Sequence, residues 1–129
     1  MFTVKNFEFF PIILANGERK ESPFVESFLK LTKQKFTPKS LIAVIRLQKR
    51  ISEIETEAFE ARKKIFESHA SEDNTIPDDK AEAFSKEMQE LMGIETKIEF
   101  TELDLEAEPG ITMTPEEILP IERLFTFSK

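Results

Sequence analysis

No glycine or proline interrupts the chain between Pro38 and Pro77. Within that stretch Val44, Leu47, Ile51, Ile54, Ala58, Ala61 and Ile65 recur at alternating steps of three and four. Apolar residues at this spacing fall on one side of an α-helix and form a seam that a second helix can fill. Thr37 stands where an N-cap is needed. Pro38 occupies the first helical position, where its missing N–H removes no bond the helix would make. The pattern predicts a helix over residues 38–68. Leu41, Ile42 and Ile45 widen its apolar surface, which predicts burial of the amino-terminal half on more than one side. Phe59 and Phe66 lie off the seam and require a second contact.

A loop follows in "SHASEDNTIPDDKA", where Ser, Asp, Asn and Pro cluster. Asp79 and Glu82 have the spacing of a capping box for the next helix. Ala81, Phe84, Met88 and Leu91 then repeat the seam spacing. Two seams joined by a short loop predict an antiparallel helical hairpin. The second helix is the shorter, so part of the long seam needs another cover. Gly93 stands where a left-handed C-terminal cap favours glycine. Beyond it Ile94, Thr96, Ile98 and Phe100 alternate with Glu95, Lys97, Glu99 and Thr101, the period of a half-buried strand. Leu103 and Leu105 resume one residue out of step, which predicts a bulge near residues 101–102.

The amino-terminal segment can pair with that strand. It holds Phe2/Val4 and Phe7/Phe9 alternations and a turn signal at Asn16–Gly17, with Pro11 marking an edge or a break. "SPFVESFLKLTKQ" predicts a short helix capped by Ser22, with Phe24, Phe28 and Leu31 on one face. "TPEEILPIERLF" repeats the signature, with Thr114 as cap, Glu117 closing the box and Pro120 splitting the helix. The expected fold is one α+β domain over 1–129. A β/short-helix segment (1–35) precedes a helical hairpin (36–92) and a strand with a capped closing segment (93–129). A small antiparallel sheet is built from the amino-terminal segment and residues 94–105.

Composition narrows the function. The chain has no Cys, so it has no disulfide framework and no thiolate chemistry. It has thirteen Phe and neither Tyr nor Trp, which points to Phe as core rather than as a binding surface. No apolar run is long enough to span a membrane, and the first twenty residues lack the basic leader and cleavage site of a signal peptide. With three Gly in all, Gly-rich phosphate loops are excluded, and GxSxG and HExxH are absent.

Three clusters could carry chemistry. His69, the sole histidine, has no nucleophile beside it in sequence, and a helix C-terminus already suits a cation. Glu72, Asp73, Asn74, Asp78 and Asp79 supply oxygen donors, but without the alternation and central Gly of a calcium loop. Asp104, Glu106 and Glu108 fall at every second position and would share one strand face, where a solvated or partner-facing edge is the simpler reading than paired-carboxylate catalysis. No catalytic, cofactor-binding or metal-binding residue is therefore expected, and no enzyme.

Charge is divided. The net charge is −7, yet residues 1–50 hold ten Lys/Arg against four Asp/Glu, a balance of +6, and residues 51–129 a balance of −13. No acid falls between Glu26 and Glu53. Such a division marks either a nucleic-acid patch or complementary protein faces, within one chain or between copies. No nucleic-acid motif is present, which favours protein contact or self-association over nucleic acid, with no membrane. The candidate partner-binding residues are Lys39, Arg46, Lys49 and Arg50 on the long helix, and Asp104, Glu106 and Glu108 on the acidic edge.

The stretches at 84–92, 95–105 and 114–125 resemble a group of short proteins encoded in bacteriophage genomes. Those proteins have a long charged helix, a second helix, an acidic alternating strand and a closing "SPxDLxxLE"-like segment. The resemblance runs from Phe36 to the end, about two-thirds of the chain, and residues 1–35 depart from it. It implies phage origin rather than a mechanism. The resulting expectation is a non-enzymatic phage protein acting through protein contacts in virion structure or assembly, located in the host cytoplasm or the virion. The alternative is a host-directed inhibitor or regulator, including an acidic mimic.

Overall fold

The structure is a computed structural model that describes residues 2–126. It is an α+β fold. Strand β1 (Phe2–Lys5) leads into a 3-10 turn (Asn6–Phe9), a small hairpin of β2 (Ile12–Ile13) and β3 (Arg19–Lys20), and helix α1 (Pro23–Thr32). The long helix α2 (Pro38–His69) and α3 (Asp78–Gly93) form the hairpin. Then come β4 (Glu95–Ile98), β5 (Leu103–Asp104), a 3-10 turn (Leu105–Ala107), the short α4 (Pro115–Ile118), a 3-10 segment (Leu119–Leu124) and β6 (Phe125–Thr126).

Local signals produce several of these elements directly. The Ser22 hydroxyl accepts from the Val25 N–H, and Pro23 opens α1. Thr114 and Glu117 form the reciprocal capping box. Pro120 ends the α4 geometry as expected. Gly17 turns the hairpin at φ +87°, a conformation open to glycine.

The long seam is covered in two ways. Val44, Leu47, Ile51, Ile54 and Ala58 are buried on α2. The first four belong to one core with Phe2, Val4, Phe9, Phe24, Phe28, Leu31, Ile98, Phe100, Leu103, Ile118, Ile121, Leu124 and Phe125. Farther along, α3 packs on α2, with Leu91 buried but Phe84 and Met88 only half-buried. Ala81, placed on this seam by its spacing, is exposed. Phe59 and Phe66 find their second contacts against Phe10 (4.9 Å between ring centroids) and Phe84 (6.2 Å). Phe7 is the exposed exception among the phenylalanines, and Phe127 lies outside the described residues.

Strand β1 pairs antiparallel with β4, Phe2 opposite Ile98 and Lys5 opposite Glu95. Other expectations require correction. Residues 7 and 9 do not alternate on a strand, because the chain winds into a 3-10 turn that buries Phe9 and exposes Phe7. There is no bulge near 101–102. Strand β4 ends at Ile98, and β5 pairs in parallel with β6 instead, so the chain changes partner. Gly93 is not a left-handed cap, because Gly17 is the one glycine with positive φ among the described residues. The sharp exit from α3 is held by tertiary contact. The buried Asn6 donates from Nδ2 to the Leu91 carbonyl at 2.9 Å, and its N–H donates to the Ile94 carbonyl at 3.1 Å. Nor do Asp79 and Glu82 form a capping box: α3 starts two residues earlier, after Pro77, without a side-chain cap.

Candidate functional site

The acidic edge is rebuilt by the fold. Asp104 ends β5 and accepts from the Glu106 N–H at 3.0 Å, so the backbone turns there and the three carboxylates do not share a face. Glu106 is exposed, and Glu108 is 3% exposed. Its two oxygens accept from the Thr37 N–H (2.9 Å) and the Thr37 hydroxyl (2.7 Å). In a capping box the third helical residue reaches back to the N-cap N–H. Here that residue is Ser40, too short for the task, and Glu108 performs it from seventy-one residues away. Burial pushes the Glu108 carboxyl up, but hydrogen bonds from Ser40 and Thr37 together outweigh it and hold the group below its ordinary value. Glu108 is therefore a structural cap on α2 and not part of an open acidic edge.

That contact belongs to a strap. Gly110 passes so close to the 35–37 connector that a Cβ there would stand 2.5 Å from the Lys35 carbonyl oxygen. The Thr112 N–H donates to Gln34 Oε1 at 2.9 Å. Lys30 Nζ lies 2.8 Å from Glu117. Through the Lys30 bond first, and then the Thr114 cap, the Glu117 carboxyl is lowered to about 2, and Lys30 is correspondingly raised. Arg123 fixes the far end of this segment, donating to Glu8 at 2.6 and 3.2 Å and to the Thr3 carbonyl at 2.8 Å.

The acidic segment thus meets the basic one at Lys30. It leaves the cations farther along the long helix without an acidic partner from that segment among the described residues. Arg50 pairs with Glu53 of its own helix at 3.3 Å. Among the described residues Lys39, Arg46 and Lys49 make no ion pair. All three are exposed, and with Ile42 they stand at steps of three, four and three, a single stripe on the solvent side of α2.

Leu41, Ile42 and Ile45 lie on this outer side. They are 44%, 52% and 42% exposed, so the expectation that the amino-terminal half of α2 is buried on several sides is overturned. Val44, Leu47 and Ile51 face the core, and no element among the described residues covers the opposite arc. The signal was present in the sequence: Ile42 shares its stripe with Lys39, Arg46 and Lys49, and three unpaired cations cannot be buried along with it. A shallow cleft of about 450 Å³ adjoins this face, lined by Ala43, Arg46, Leu47, Glu99, Phe100 and Thr101. The result is a rigid apolar patch with a cationic border.

The other clusters are internally occupied. Asp73 accepts from the Ser71 and Thr75 hydroxyls, which lower its pKa, and with Asn74 at φ 62° it closes the α2–α3 loop. His69 Nε2 is hydrogen-bonded to Glu87, linking the two helices near the loop end of the hairpin. Among the described residues no group of three acidic, His or Cys side chains is placed to hold a metal ion. No described helix is long and apolar enough to cross a membrane. No protein-family model, curated protein or solved structure matches this chain.

Proposed function

We propose that this chain is a non-enzymatic protein that works by docking the amino-terminal outer face of α2 onto another protein, in the structure or assembly of a bacteriophage particle. The observation that carries the contact is the exposure of Leu41, Ile42 and Ile45 together on one helix, bordered by Lys39, Arg46 and Lys49, which make no ion pair among the described residues. Contiguous exposed aliphatic side chains on a rigid element gain free energy when a partner excludes water from them. Charges at the rim steer the encounter and fix its register. Phosphate contact would use the cations but gain nothing from three aliphatic side chains at their centre, and this favours protein over nucleic acid. The phage setting is supported by the resemblance of the chain from Phe36 onward to phage-encoded proteins.

The experiment is quantitation of the chain in purified particles of a phage that encodes it, beside an Ile42→Glu, Ile45→Glu double variant. The parent is expected at fixed stoichiometry. The variant is expected to fold normally, since both positions face solvent, and to be missing from particles. A parent chain that is absent from particles overturns the assembly reading in favour of a host-directed inhibitor or regulator.

A further inference from the structure

The patch on α2 has a chemical counterpart elsewhere on the same molecule. Leu119 is 66% exposed, the most exposed of the large hydrophobic residues among those described. Glu116 and Glu122 stand three residues before and after it, both exposed and without an ion pair among the described residues. Residues three apart neighbour each other in α and 3-10 geometry, which places Glu116 beside Leu119; Ile121 kinks the segment (φ −121°, ψ 22°), yet the burial period of three continues across it and leaves Glu122 exposed with them. The opposite side is firmly anchored, with Ile118 at 9%, Ile121 at 0% and Leu124 at 0% exposed. The Lys30–Glu117 pair and the Arg123–Glu8 pair hold the segment at both ends. The knob is rigid and acid-flanked. The patch of Leu41, Ile42 and Ile45 is rigid and base-flanked.

We infer that the occupant of the α2 patch is a second copy of this chain, which presents Leu119 to Leu41, Ile42 and Ile45 while Glu116 and Glu122 meet the cations Lys39, Arg46 and Lys49. The inference rests on the reading of the α2 face as a protein-contact surface. Both surfaces are open in the isolated chain, so neither covers the other. Two α2 patches facing each other would oppose like charges, which disfavours a symmetric contact. A knob on one copy and a patch on the next is a heterologous contact, which closes into a ring or grows as an open chain. The contact is small and charge-bordered, so association is expected to be weak, concentration-dependent and reduced as salt screens the border.

The test is sedimentation velocity over a concentration and salt series with three proteins. One is the parent, one carries Ile42→Glu with Lys49→Glu, and one carries Leu119→Ser with Glu116→Gln. All changed positions are exposed, and far-UV circular dichroism melts matching the parent verify folding. The parent is expected to form species larger than dimers, and each variant alone to stay monomeric. An equimolar mixture of the two variants is expected to form a 1:1 pair that grows no further, because one supplies an intact knob and the other an intact patch. A parent that stays monomeric at every concentration overturns the inference, as does parent association that survives both variants or a mixture that fails to pair. Lipid-vesicle or duplex-DNA binding lost in the patch variant, without self-association, reassigns the patch and overturns the inference equally. Incorporation into particles that depends on Ile42 while the purified chain stays monomeric refutes the self-contact alone and leaves the protein-contact reading standing.

Discussion

Removing the Glu108 carboxylate tests how a helix of thirty-two residues is started by a residue far away in sequence. In Glu108→Ala the Thr37 N–H and hydroxyl lose acceptors at 2.9 and 2.7 Å. Losing an N-cap interaction costs about 0.5–2 kcal/mol. Removing a negative charge from a helix N-terminus adds roughly 0.3–1 kcal/mol. A buried orphan donor would add about 1–3 kcal/mol more, but Thr37 itself is exposed, so water can take over both donors and most of that term is discounted. The expected loss is about 2 kcal/mol, which for a domain of this size lowers the melting temperature by roughly 6–10 °C. Thermal and urea melts of Glu108→Ala, beside Glu106→Ala as the exposed control, give the measurement. The control is expected within about 0.5 kcal/mol of the parent. A Thr37→Val, Glu108→Ala double-mutant cycle is expected to be non-additive, because the two side chains share one bond. A Glu108 variant that melts with the control, or an additive cycle, refutes the capping account.

Three further perturbations follow from the packing and the ion pairs. Ile51, 5% exposed in the core, is expected to lose about 2–5 kcal/mol in a chemical melt on truncation to Ala; a loss under about half a kcal/mol contradicts the seam. Gly110→Ala is expected to destabilise by about 1–3 kcal/mol, because its Cβ would press on backbone atoms of Lys35 that cannot swing aside, whereas Gly93→Ala meets open space at negative φ and is expected to be neutral or stabilising by up to about 1 kcal/mol; equal melts for the two would refute this distinction. Glu108 and Glu117 are both lowered on folding, so their contribution is complete above the ordinary value of 4.5 and is lost as pH falls through each folded value, about 2 for Glu117. The raised Lys30 contributes below its ordinary 10.5 and loses that contribution as pH rises through its folded value. Melts from pH 5 down to pH 2 are expected to show a smaller acid-induced decline in Lys30→Met than in the parent, since its Glu117 is no longer held down by Lys30.

The features legible in the sequence are those whose cause is local. The Val44–Leu47–Ile51–Ile54 seam follows from helix period alone. Ser22 and Thr114 cap helices because the N–H groups their hydroxyls accept from lie three residues away. The features that escaped depend on contacts across the fold. Glu108 reads as one of three alternating acids until the fold places it on Thr37. Gly93 matches a capping rule, yet Asn6, eighty-five residues from Leu91, closes that helix end. The slip in alternation between Phe100 and Leu103 reads as a bulge in one strand because the pattern cannot show that β4 faces β1 while β5 turns to β6. Of the candidate contact residues, Lys39, Arg46 and Lys49 do share an open face. The apolar centre of that face reads as interior on hydrophobicity alone, and only the cations on the same stripe mark it as exposed.

Lysine acylation footprinting, read by mass spectrometry, addresses the contact surface directly. The chain is labelled in the purified phage particle and, separately, as the isolated protein. Lys39 and Lys49 border the proposed contact, whereas Lys63, Lys64 and Lys86 are exposed on the hairpin away from it. Lys39 and Lys49 are expected to lose most of their reactivity in the particle while the other three keep theirs. Unchanged reactivity at Lys39 and Lys49, or protection confined to the hairpin lysines, would contradict the proposed contact.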